Sequence, residues 1–137
     1  MAVAPTTLHA AIDLPPELHS VPAARSVVAP LLAAWAAESF CENALLLLSE
    51  LVTNVIRHVV GDAALQVEVH LTGPVLRVSV ADNSPDPPRV LEPGAAGGHG
   101  MWLLTAIADR WGSERYGTGK HVWFELSRDA GDELPAV

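Results

Sequence analysis

Cysteine is almost missing from this 137-residue chain, where Cys41 stands alone. No intrachain disulfide can form, nor any cysteine-based metal cluster. A reducing cytosol suits such a chain, so a cytoplasmic location is expected. Basic residues are scarce as well: 8 Lys and Arg face 16 Asp and Glu, for a formal charge of −8. Nucleic-acid binding needs positive charge to displace phosphate counterions, and docking on an anionic membrane needs the same. Neither partner is expected. The opening residues MAVAPTTLHAAIDLPP hold no Lys or Arg and carry an acid at Asp13, unlike a secretory signal. Long apolar runs are also lacking. The longest, Val27 to Ala37, contains Pro30 and falls short of the ~20 residues a bilayer crossing needs.

What is present suits a folded domain. Half the residues are apolar, which argues against disorder. A chain of this size can bury roughly 68–70% of its unfolded surface and needs no staple. One domain is expected over residues 1–137, with its core about 8–127 and a short flexible tail at 128–137. There is no internal repeat and no low-complexity linker.

Periodicity then orders the elements. Leu8, Ala10 and Ile12 alternate weakly, and Pro15-Pro16 ends that strand. Ser20 is placed to cap a helix running to about Ser39, with Pro22 in its first turn and Pro30 awkwardly inside. From Glu42 to Val60, Leu45, Leu48, Leu51, Val52, Val55, Ile56 and Val59 build the broad face of a second helix. Leu65 to Leu71 and Leu76 to Val80 alternate around Thr72-Gly73-Pro74, a hairpin with one buried face. A Pro/Gly-rich loop spans Asn83 to Gly98; so long a loop in a compact domain is usually functional. Gly100 to Arg110 reads as a third helix. Ser113 to Tyr116 and His121 to Ser127 form a last hairpin, with Val122, Phe124 and Leu126 facing inward. The order β-α-α-β-β-loop-α-β-β predicts an α+β two-layer sandwich: a mixed, mostly antiparallel sheet with helices on one face.

Three local features bear chemistry. Glu50, Asn54 and His58 stand at i, i+4 and i+8, a polar row along one helix edge. On spacing alone such a row reads first as a solvated face. Asp82 follows directly on a strand that reads as buried; alone it reads as a turn acid bonding its own backbone. Gly97-Gly98-His99-Gly100 precedes a helix, where small residues and free N–H groups can receive an anion. That run is neither a P-loop nor a dinucleotide fingerprint. His9, His19 and His70 have no partners at metal-ligand spacing along the chain, and HExxH is absent, so no metal site is expected of them. The four Trp residues read as core or interface anchors, and Cys41 as a small apolar filler.

The combination is more specific than its parts. SELVTNVIRH, then a hairpin ending in VAD, then the Pro/Gly loop, then GGHGMWLL, then GTGKHVWFEL resembles the histidine-kinase-like ATPase superfamily, the Bergerat fold. Within it the chain resembles the anti-sigma-factor serine kinases, particularly the small ATP-binding regulators of actinobacteria. The likeness covers about Pro15 to Leu126. It implies ATP or ADP and Mg²⁺ as ligands. It implies Asn54 as the Mg²⁺ ligand and Glu50 as the base toward a serine hydroxyl. Asp82 would accept from the adenine amino group, and Gly98 and Gly100 would lie near the phosphates. His58, His99, Met101 and Thr118 complete the implied nucleotide-binding set. The chain also departs from the superfamily. Asn83-Ser84-Pro85 replaces the glycines of D-x-G-x-G, and Lys120 and His121 stand where the last strand usually has a Thr. Many relatives have Arg at the place of His99.

The resemblance implies a serine/threonine protein kinase regulating transcription by partner switching. Its partners would be a sigma factor and an anti-anti-sigma protein, and homodimers are plausible. The alternative is a non-catalytic nucleotide-sensing or protein-sequestering module, to which the missing glycines point. An ATP hydrolase domain detached from a sensor histidine kinase is a third reading. It is disfavoured because only about 40 residues precede the Asn54 helix.

Overall fold

The computed structural model describes residues 6–58, 64–82, 100–116 and 119–128. Five strands form one sheet in the order β1-β2-β3-β5-β4. They are β1 (Thr7–Leu14), β2 (Leu65–Thr72), β3 (Val75–Asp82), β4 (Arg110–Tyr116) and β5 (Gly119–Ser127). Each of the four pairings is antiparallel. The helices are α1 (Ser20–Ala34), α2 (Cys41–His58) and α3 (Gly100–Ile107), with a 3-10 turn at Glu38–Phe40 leading into α2. The α+β class is as expected. The sheet, expected to be mixed and mostly antiparallel, is wholly antiparallel among the described strands.

The β2 and β3 alternation holds throughout. Leu65, Val67, Val69 and Leu71 are buried, as are Leu76, Val78 and Val80. Gly73 joins these strands at φ 57°, ahead of Pro74. A positive φ at the first central residue followed by proline is the pattern of a type II′ turn, whose twist matches a hairpin. From β5, Val122, Phe124 and Leu126 join the same core. Leu47, Leu48, Leu51 and Val52 of α2 cover that face at 0–1% exposure. By length and composition, Glu38–Arg57 could cross a membrane, with a mean hydropathy of 1.3. Here its apolar side is part of the core beneath the sheet.

Several boundaries differ from the expectation, each for a local reason. Ser20 does not cap α1. His19 holds the cap position without a side-chain bond, and the buried Ser20 hydroxyl donates to the Pro15 carbonyl at 2.6 Å. Pro30 does lie inside α1, which runs through it. The helix stops at Ala34 rather than Ser39. Ala36 takes the left-handed region at φ 54°, Ala37 N–H donates to Leu32 O, and Ala36 N–H donates to Ala33 O. This is a Schellman ending built on alanine where glycine is usual. Arg128 Nη1 donates to the Ala36 carbonyl at 3.0 Å and supports it. The third helix ends at Ile107, not Arg110. Asp109 N–H donates to Glu125 O, its carboxylate accepts from Ser127 N–H at 2.7 Å, and the chain is drawn into β4 from Arg110. The first strand is longer than its weak alternation suggested. As an edge strand it buries little, and Leu8 stays 37% exposed.

Candidate functional site

The topology brings the sequence-selected elements to one end of the sandwich. α2 ends at His58, and β2 begins at Leu65 only a few residues later. In the ladder Gln66 pairs with Ala81, so the start of β2 lies beside the end of β3. Asp82 pairs with Lys120, which places the start of β5 there as well. α3 leads into Arg110, which pairs with Glu125 near the far end of β5.

Rotation along α2 decides what the Glu50–Asn54 row faces. Each helix residue turns by about 100°. Glu42, Leu46 and Arg57 are exposed and mark the wet side. Glu50 and Asn54 are half-buried and share a flank with the fully buried Leu47. The row is thus a boundary with the core, not the solvated face that spacing alone suggested. The other flank is taken by α1. Arg25 Nη1 donates to Leu45 O at 3.0 Å and to Ser49 Oγ at 2.9 Å. Glu50 and Asn54 lie on the opposite flank.

Asp82 continues the inward series of Leu76, Val78 and Val80. Its side chain is only 2% exposed, and its Oδ2 lies 3.4 Å from Lys120 Nζ, itself 9% exposed. Asp82 is therefore not a turn acid at the surface. Strand alternation separates the two residues expected at the threonine place. Lys120 shares the helix-covered face with Asp82. His121 faces the open side of the sheet, near Glu114 at 3.5 Å. The Lys120 pairing was not legible in the sequence, because β3 and β5 are not consecutive and their register is set by the whole sheet.

Gly98, His99 and Thr118 lie outside the described residues. His58 and Met101 fall in α2 and α3 by their backbone, and their side chains lie outside the described part. Gly100 opens α3. A family model described as a histidine kinase-like ATPase domain matches residues 14–126. The chain belongs to this family. No curated protein matches it significantly. Membership in an ATPase family implies a nucleotide site. Half-buried Asn54 offers an amide oxygen of the kind a hard cation prefers, and Glu50 offers a carboxylate one turn away. Asp82 is a buried acceptor within the sheet. The donor set fits a magnesium-bound nucleotide, with one complication: Lys120 engages the carboxylate that would read the base.

Proposed function

We propose that this histidine kinase-like ATPase domain binds ATP with Mg²⁺ and phosphorylates a serine or threonine on a protein antagonist. In this reading it acts as an anti-sigma-factor-type regulator, exchanging a sigma factor for an anti-anti-sigma protein. One observation supports the catalytic part: Glu50 and Asn54 sit one turn apart on the half-buried flank of α2, the helix followed by β2, which begins beside the Asp82 end of β3.

Each residue has a role its surroundings suit. Asp82 accepts from the exocyclic amine of the base, and its burial keeps water from competing. Asn54 would hold the magnesium ion through its amide oxygen. Glu50 receives the proton of the attacking hydroxyl or orients that hydroxyl. When bound, ATP would supply the phosphoryl group and leave as ADP, and its metal would offset the charge; the rest is positioning. The new phosphate would break the antagonist's contact by adding charge to an interface.

The test is a titration of the whole chain with ATP and ADP in Mg²⁺, followed by transfer to candidate antagonists. The wild type should bind, Asn54→Ala should lose Mg²⁺-dependent binding, and Glu50→Ala should bind without forming phosphoserine. Absence of nucleotide binding by the wild type overturns the proposal. Tight binding without transfer to any antagonist supports the second reading, a non-catalytic nucleotide sensor. The Asp82–Lys120 pair favours instead the protein-sequestering form of a non-catalytic module, because a base would have to compete with an ammonium for its acceptor.

A further inference from the structure

On the open face of the sheet, β1 and β2 bring together residues that are far apart in the chain. His9 pairs directly with His70 in the ladder, and Glu68 lies two residues before His70 on the same face. The imidazole rings stack with centroids 4.3 Å apart and planes 19° from parallel. Glu68 Oε2 lies 3.3 Å from His9 Nε2 and 3.9 Å from His70 Nε2. One ligand atom from each residue lies within 4.8 Å of the others. We propose that His9, Glu68 and His70 form a binding site for a divalent transition-metal ion such as Zn²⁺.

The chemistry and the geometry agree. Two imidazoles and one carboxylate form a known zinc ligand set, with a fourth position left for water. Tetrahedral zinc with bonds near 2.1 Å places its ligand atoms about 3.4 Å apart. The Glu68–His9 separation is already there, and small side-chain rotations would bring in His70. Nitrogen ligands favour zinc and its neighbours over magnesium or calcium. The side chains are 49%, 26% and 34% exposed for His9, Glu68 and His70, so an ion can enter from solvent. A competing cation, Arg77, lies opposite His70 on β3. It is drawn away from the cluster, 3.3 Å from Glu125 Oε2 and 4.0 Å from the centroid of a Trp123 ring. Burial, His9 and Arg77 together outweigh Glu68 and hold the His70 pKa below its ordinary value. A neutral ring keeps its lone pair available to a metal.

Such an ion would clamp edge strand β1 onto β2, which side chains otherwise tie through Thr7–Thr72 and Gln66–Asp13. The site lies on the sheet face opposite Asp82, so it stands apart from the nucleotide reading. Spacing along the chain gives no reason to expect a metal at His9 and His70. Strand pairing supplies the closeness that chain spacing lacks.

The test uses tag-free full-length protein and Zn²⁺ or Co²⁺ alone. Calorimetry should show one equivalent of Zn²⁺ per chain with a raised melting temperature, and Co²⁺ should give visible ligand-field absorption. His9→Ala and His70→Ala should each weaken uptake by at least about tenfold. His19→Ala should change nothing, and Mg²⁺ should not compete. No saturable uptake by the wild type overturns the proposal. Unchanged uptake in the His9→Ala/His70→Ala double variant does so equally.

Discussion

β3 and β5 carry two ion pairs in a single ladder. Asp82 lies opposite Lys120, and Arg77 lies opposite Glu125. The nitrogen–oxygen distances are nearly equal, 3.4 Å and 3.3 Å. The five-residue offset puts them on opposite faces, and that changes their physics. Lys120 and Asp82 are 9% and 2% exposed, whereas Arg77 and Glu125 are 35% and 16% exposed. A pair taken out of water loses much hydration, and an apolar pair of the same shape often does as well or better. A pair left half in water is screened and contributes little either way. The buried pair is therefore poorly explained by stability, and it lies where the candidate nucleotide site lies. The open pair needs no function.

Breaking the buried pair should give the largest effect. Lys120→Met removes the ammonium beside a buried carboxylate and should destabilise the fold by about 3–5 kcal/mol in urea denaturation. Replacing both partners, as Asp82→Leu with Lys120→Met, should recover most of that loss. The double variant should still fail to bind nucleotide. If Lys120→Met has no more effect than a change at Arg77, the two faces do not differ as argued.

The open face depends on close packing of one side chain. Gly112 pairs with Trp123 across β4 and β5. A Cβ added at Gly112 would meet Trp123 Cζ2 at 2.9 Å. The ring is fixed by strand geometry on one side and Arg77 on the other, so it cannot give way freely. Gly112→Ala should destabilise by about 1–3 kcal/mol, the usual range for overpacking. An effect within error would mean that the Trp123 ring swings off the sheet without loss.

Arg77→Ala should have a smaller effect, about 1 kcal/mol, from a screened pair and a cation–π contact. Glu125 keeps Arg110, whose Nη1 lies 3.6 Å from its Oε1, so no charge is stranded. Equal losses for Arg77→Ala and Lys120→Met would erase the contrast between the faces.

The same contrast explains how much could be read from the sequence. The inward series on β2, β3 and β5 was legible because alternation needs only local spacing and one buried face. The Glu50–Asn54 spacing was legible for the same reason on a helix. The half-buried state of that row was not, because it depends on where α1 and α3 dock. The Asp82–Lys120 pair and the His9–His70 stack were hidden, since each joins strands far apart in the chain. The end of α1 was hidden for a different reason. Ala36 adopts a left-handed conformation that a glycine would have announced, and tertiary support from Arg128 helps hold it.

The smallest effect concerns protons on the open face. His70 is held below the ordinary histidine range by burial first, then by His9 and Arg77, with Glu68 opposing. The unfolded chain therefore binds this proton more readily than the folded one. Folding is favoured by this difference above the unfolded value of about 6.5, and the advantage fades as pH falls through that value toward the lower folded one. In metal-free protein, stability should decline as the solution is acidified below about pH 6.5, and His70→Gln should flatten that decline. Urea midpoints at stepped pH for both proteins measure it. A steeper decline in His70→Gln would mean that Glu68, not burial, governs the ring, and would remove the neutral imidazole from the open face.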